Sequence, residues 1–186
     1  YLVMDLKENK CKFCNNLDVK KVDNYKFKHK IFANIKIVFC KKCDLYFALP
    51  APKSDSLDNY YNAVEGVSIG SPNSGKLNIS FANILAKSRL QYIYSNLEAE
   101  FNKNNLNVLE VGSGYGHLAR YFVNKFNINK YYIVESDTRC HKKLKKISKY
   151  VFKNLDDIND NGSINILILS HILEHISDPI NFLKRI

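Results

Sequence analysis

The sequence predicts an α/β fold: a Rossmann-like sheet, partial at four strands, preceded by a small metal-binding ribbon and a helical linker. Three observations carry this. Short apolar runs alternate with amphipathic stretches over residues 105–186. One of those runs ends in a glycine turn that opens a helix, and four of the five cysteines form two C-x2-C pairs near the N-terminus. The expected organisation is a ribbon over 1–53, a helical linker or lid over 54–104, and the sheet domain over 105–186.

The 186 residues suit one or two domains. Hydrophobic residues make up 46% and charged residues 25%, a balance that argues against wholesale disorder. No apolar run approaches the ~20 residues that cross a bilayer, and none forms a signal-peptide core, so a cytoplasmic location is expected. The formal charge of +10 would ordinarily suggest nucleic acid. Yet 24 of the 28 basic residues are Lys and only 4 are Arg, beside 23 Asn, 18 Ile and 12 Tyr, the mark of AT-rich coding. Arg makes the bidentate contacts to bases and phosphates, and it is scarce here. A small-molecule partner is therefore expected rather than nucleic acid or membrane, with the oligomeric state open. The surplus is +7 over residues 1–53 and +3 over 54–186, so it sits mainly on the ribbon.

Cys11 and Cys14 form one pair and Cys40 and Cys43 the other, with 25 residues between them. Two residues between cysteines let both sulfurs of a knuckle reach one tetrahedral ion. Two disulfides are the alternative. In a chain with no secretory signal, structural zinc with four thiolates is the better reading. The intervening stretch, with Tyr25, Phe27, Ile31 and Phe32, reads as short strands. Ile35, Ile37 and Phe39 alternate with Lys36 and Val38 in a strand that delivers Cys40. Cys140 stands alone and reads as a helix residue without a role.

Pro50 and Pro52 end the ribbon. A short capped helix is expected over Ser54–Tyr61. Gly70–Lys76 matches the first seven positions of a P-loop, but Leu77 stands where Ser or Thr would hold magnesium, and no buried strand precedes it. ATP binding is disfavoured. From Leu77 to Phe101 the residues Phe81, Ile84, Leu85, Leu90, Ile93, Tyr94 and Leu97 recur at helical spacing, with any interruption near Ser88.

The chemistry is concentrated after residue 105. The strand Leu106–Val111 runs into Gly112, Gly114 and Gly116, and a helix begins at His117. A pyrophosphate-binding turn has the spacing G-x-G-x-x-G. Here the spacing is G-x-G-x-G with Glu110 two residues ahead, and an acid there favours a cationic ligand such as S-adenosylmethionine. The second strand, Lys130–Val134, ends in Glu135, placed to accept ribose hydroxyls. Tyr150–Phe152 is a third strand, with Asn154 at its tip as a candidate adenine contact. The fourth strand, Ile164–Leu169, is a continuous apolar run of the kind buried on both faces. It ends in Ser170, His171, Glu174 and His175, before Asp178 and Pro179 cap another helix. Two histidines and a carboxylate at a strand tip are candidates for moving a proton, against the alternative of structural histidines.

Val108–Gly116 together with Leu169–Pro179 resembles the class I S-adenosylmethionine-dependent methyltransferases. With the cysteine pairs, the Pro-x-Pro stop and Tyr60–Tyr61, residues 9–186 resemble the zinc-containing nucleotide-sugar C-methyltransferases. The resemblance implies that Glu110, Gly112, Ser113, Gly114 and Gly116 hold the methionine part and Glu135 the ribose, with Asn154 and Ser170 as further cofactor contacts. It implies that His171, Glu174 and His175 face a nucleotide-linked sugar or glycan precursor methylated at carbon or oxygen. Asn165 stands where the family has Asp, a change expected to affect fold more than catalysis. The family sheet has seven strands, so the chain is expected to be a C-terminally truncated fragment, inactive by itself. Three other readings remain: a zinc-containing rRNA methyltransferase, a non-catalytic zinc-ribbon interaction module, and an NAD dehydrogenase, the last disfavoured by glycine spacing.

Overall fold

A computed structural model describes residues 10–26, 29–51, 56–57, 59–60, 75–103, 105–159, 163–176 and 178–186. The P-loop-like residues 70–74 lie outside these. Of the short helix expected over Ser54–Tyr61, Ser56, Leu57, Asn59 and Tyr60 are described, and they are helical. The chain divides into two compact units, residues 1–63 with 176–186, and residues 64–175.

In the first unit, β1 (Val19–Asn24), β2 (Lys36–Cys40) and β3 (Leu45–Leu49) form an antiparallel sheet in the order β1-β2-β3. The register sets Val19 and Leu45 on either side of Cys40. Two expectations need correction here. Lys30–Phe32 is a 3-10 turn rather than a strand, with His29 Nδ1 accepting from the Ile31 amide. In β2 the buried residues are Val38 and Cys40, while Ile37 and Phe39 are only half-buried. The inward face is thus the one that carries the cysteine. Phe32, Ile35 and Leu57 pack together as one buried cluster, with Tyr60 edge-on to Phe32 at 5.4 Å. Also in this unit, Asp178 Oδ1 accepts from the Asn181 amide and caps the helix Pro179–Lys184, as its Asp-Pro sequence predicts.

The second unit is built on a parallel sheet of order β6-β5-β4-β7, from β4 (Leu106–Val111), β5 (Ile128–Val134), β6 (Tyr150–Phe152) and β7 (Ile166–Ile168). β4 is buried along its whole length. β7 is shorter than the expected Ile164–Leu169, because only Ile166–Ile168 pair with β4. Ahead of β7 the chain is tied by side chains: Asn165 Oδ1 accepts from the Asn107 amide at 2.8 Å, and the Asn165 amide donates to Asn107 O at 2.9 Å. Asn129 and Ser163 complete this cluster around Asn107.

Helices α1 (Gly75–Phe101), α2 (His117–Lys125) and α3 (Thr138–Leu144) belong to the same unit. α1 runs unbroken past Ser88, and its departure from helical geometry comes at Leu97. Its buried stripe is Ala82, Ala86 and Leu90, at spacings of four, whereas Phe81 and Ile84 are exposed. Large apolar side chains are a poor guide here because alanines make the close approach to the core. Phe122 of α2 is fully buried, with ring centroids of Phe101, Phe126 and Tyr131 each 5.8 Å away. Phe122→Ala is expected to cost about 3–5 kcal/mol through the cavity it leaves, measured by urea unfolding of the second unit.

Candidate functional site

The site begins at the carboxyl ends of β4 and β5, where the backbone leaves the sheet. Gly112, Gly114 and Gly116 all have positive φ, of 72°, 54° and 73°. Their surroundings differ. A Cβ on Gly112 would lie 1.9 Å from Ile172 Cδ1, so this glycine lets the segment after β7 pack directly on the turn. A Cβ on Gly116 would meet Ile147 and Leu144, both at 2.7 Å. A Cβ on Gly114 would meet nothing within 4 Å. The open position is therefore the middle of the turn. Beside it, Ser113 Oγ is buried without a hydrogen-bond partner among the described residues. An orphaned hydroxyl next to open space above a glycine suits a polar ligand lying on the turn.

Two buried carboxylates belong to this region, one tied to the turn itself and one in the strand that leads into it. Glu135 is 8% exposed; its Oε2 accepts from the Gly114 amide at 2.7 Å and its Oε1 from the Asp137 amide at 2.9 Å. A carboxylate offers about four acceptor positions, so these bonds fix it while leaving capacity for a ligand's hydroxyls. His141 Nε2 lies 2.7 Å from the Glu135 carbonyl, a contact from α3 that no local sequence pattern signals. Glu110 is 3% exposed, and its Oε2 accepts from the Tyr131 hydroxyl at 2.8 Å. Burial raises the Glu110 carboxyl to about 7; the Tyr131 hydrogen bond and the charge of Arg89 oppose the rise, and the charge of Glu135 adds to it.

The chain after β7 carries the remaining expected residues. His171 has φ of 57°, a left-handed conformation that costs a non-glycine residue ~1–2 kcal/mol. Its Nδ1 lies 3.0 Å from Glu174 Oε1. That bond orients the ring and leaves Nε2 as its second nitrogen for proton transfer. The His175 amide donates to Ile172 O in the same turn. Ile172, between the histidines, is the residue seated on Gly112, so the glycine turn and the histidine segment are one constellation. Asn154 lies just past β6, whose Phe152 carbonyl accepts from the Glu135 amide; its own amide donates to Asp157 in a short turn.

A cavity of about 500 Å³ opens between α1 and β7, lined by Arg89, Tyr92, Leu118, Leu169 and Ser170 among others. Arg89 escapes a reading based on apolar periodicity. The available signal is its rarity, one of four arginines, on the face of α1 adjoining Leu90.

In the first unit, the sulfurs of Cys11, Cys14, Cys40 and Cys43 all lie within 4.8 Å of one another. Cys11 and Cys43 are 3.6 Å apart, and Cys14 and Cys40 are 3.5 Å apart. A disulfide needs about 2.0 Å. Four sulfurs around tetrahedral zinc, each ~2.3 Å from the ion, sit about 3.8 Å apart, so the donor set fits zinc. Burial alone would raise the Cys40 thiol, but amides of Cys43 and Lys42 donate to it and bring it down to about 6. Each knuckle is followed by a residue of positive φ, Asn15 and Asp44, types that tolerate the left-handed turn.

Two outcomes follow. Stripping metal with a chelator is expected to abolish the near-ultraviolet circular dichroism of the first unit's aromatics and leave the second unit's urea transition in place. Because the folded carboxyl of Glu110 titrates above the ordinary 4.5, stability falls as pH rises from there through about 7 and does not recover above it. Glu110→Gln keeps an acceptor for Tyr131. It is expected to leave stability unchanged below pH 4.5 and to raise it by about 3 kcal/mol at pH 8, by urea unfolding.

No helix among the described residues is long and apolar enough to cross a membrane. A comparison with curated proteins returns no significant match. Residues 85–186, more than half of the chain, match the family model described as "Methyltransferase domain". That span holds Arg89, the glycine turn, both buried carboxylates and the histidine segment. The chain thus belongs to the methyltransferase-domain family, as a class I enzyme that uses S-adenosylmethionine.

Proposed function

We propose that this methyltransferase acts on a small molecule, a nucleotide-linked sugar or glycan precursor, and methylates it at carbon or oxygen. The observation that carries the reading is the histidine–carboxylate pair, His171 and Glu174, held against the cofactor turn through Ile172 and Gly112. The substrate class rests on the sequence motifs together with the four-cysteine ribbon, and the scarcity of arginine counts against RNA.

The bound cofactor supplies an electrophilic methyl group on a positively charged sulfur. Glu135 would accept the ribose hydroxyls, kept in place by the amides of Gly114 and Asp137. Glu110 would offer negative charge to the methionine end, and Arg89 would take its carboxylate. Ser113, Asn154 and Ser170 would complete the contacts. His171 would accept the proton of the acceptor at Nε2, from a carbon beside a ketone or from a hydroxyl. Glu174 would hold the ring in place for this through its contact with Nδ1. His175 would face the acceptor from the same turn. The four cysteines would hold zinc as a structural ion, since four thiolates leave no open coordination position.

Calorimetric titration with S-adenosylmethionine is expected to show micromolar binding, weakened tenfold or more by Glu135→Ala and little changed by His171→Gln. With keto-sugar nucleotides, His171→Gln is expected to lower solvent deuterium exchange beside the ketone by about 10²-fold or more. Exchange that survives the substitution removes His171 as the base. Methyl transfer to rRNA but to no sugar nucleotide overturns the substrate class.

A further inference from the structure

The core on the α1/α2 side of the sheet contains Val108, Leu118, Ala119, Phe122, Ile133, Ile166 and Ile168, all apolar, and one phenol, Tyr131. Tyr131 is 3% exposed and stands opposite Val108 in the β4–β5 register, yet its hydroxyl reaches along the strands to Glu110. A phenylalanine would fill the same space without a buried hydroxyl to satisfy. The hydroxyl donates to the acid, and an ionised carboxylate accepts that bond more strongly than a neutral acid.

We infer that Tyr131 is a positioning residue for the cofactor: it holds Glu110 as an oriented carboxylate that meets the cationic methionine end. The inference rests on the reading of Glu110 as a cofactor residue. The groups acting on Glu110 are Tyr131 and Glu135 from β5 and Arg89 from α1. α2 offers Leu118, Ala119 and Phe122 to this core, its His117 being engaged with Asn83, and β7 offers Ile166 and Ile168. Of these, Tyr131 is the donor bonded to the acid, so it biases both the charge of Glu110 and its direction. Without the hydroxyl, burial and Glu135 act against Arg89 alone, and Glu110 becomes harder to ionise.

The test is calorimetric binding of S-adenosylmethionine from pH 6 to 8.5 by wild-type, Tyr131→Phe and Glu110→Gln protein, with near-ultraviolet circular dichroism to verify folding. Each affinity is divided by that of Glu110→Gln at the same pH, which cancels the ligand's own titration. The wild-type ratio is expected to fall as pH drops through the Glu110 midpoint. Tyr131→Phe is expected to move that midpoint up by about one unit, weakening binding about fivefold at pH 7 and converging on wild type toward the alkaline end. Weakening by one constant factor at every pH, or an unmoved midpoint, overturns the role of Tyr131 while leaving Glu110 in place. A wild-type ratio of one throughout overturns the reading of Glu110 itself.

Discussion

The constellation depends on one steric condition, the absence of a side chain at Gly112. Ile172 occupies the place where a Cβ would stand, so the turn after β4 and the segment after β7 share a surface. Adjacent strand tips are close in any parallel sheet, but here they interlock. Any displacement of Ile172 carries His171 with it, one residue away along the chain. Glu135 adds a second tie, from β5 to the same turn, through the Gly114 amide. The residues proposed for cofactor binding and proton handling thus stand at the tips of three neighbouring strands, joined by a packing contact and a hydrogen bond.

The first unit solves a different problem. Among the described residues its buried apolar side chains besides the cysteines are few, Phe32, Ile35, Val38, Leu49 and Leu57, and β1 has five exposed residues of six. Burial on that scale does not offset the ordering of about fifty residues. With zinc bound, the four converging thiolates would supply what the core lacks, because metal binding is itself folding free energy, ~10 kcal/mol or more for a structural zinc. β2 serves that centre directly by turning Val38 and Cys40 inward together.

What could be read from the sequence follows from what periodicity encodes. β4 and β6 have their expected limits because apolar residues bounded by polar ones mark them, and Asp178–Pro179 announces its own cap, whereas the continuous run of β7, read as buried on both faces, leaves Leu167 exposed. β1, Val-Lys-Lys-Val-Asp-Asn, gives no such signal, since it pairs through its backbone and faces solvent. α1 misleads in a related way: alanines at 82 and 86 line the core, while Phe81 and Ile84 stay outside. The glycines, Glu135 and the histidines are recognisable as residue types at strand tips. Their partners are not, because Tyr131 to Glu110, His141 to Glu135 and Arg89 to the cavity are relations across elements. Side-chain pairing of that kind is set by register and helix packing, which no local pattern carries.

Glu110 shows where stability and function diverge in this fold. A carboxyl in an apolar core titrates near neutrality because water is missing around it, and Tyr131 and Arg89 compensate only in part. As a fold element it is a poor choice, since an uncharged acceptor would satisfy Tyr131 without the cost of burying charge. The position becomes favourable once a cation shares the enclosure, for the low dielectric that penalises the isolated charge strengthens its attraction to a partner. In the proposed role, the same acid that strains the empty protein would favour the positively charged cofactor over its product, which has lost the sulfonium charge. Electrostatic discrimination between the two requires a site that is dry and anionic before the ligand arrives. Burial of Glu110 meets the first condition and the Tyr131 bond and Arg89 work toward the second, at the cost of some of the protein's own stability.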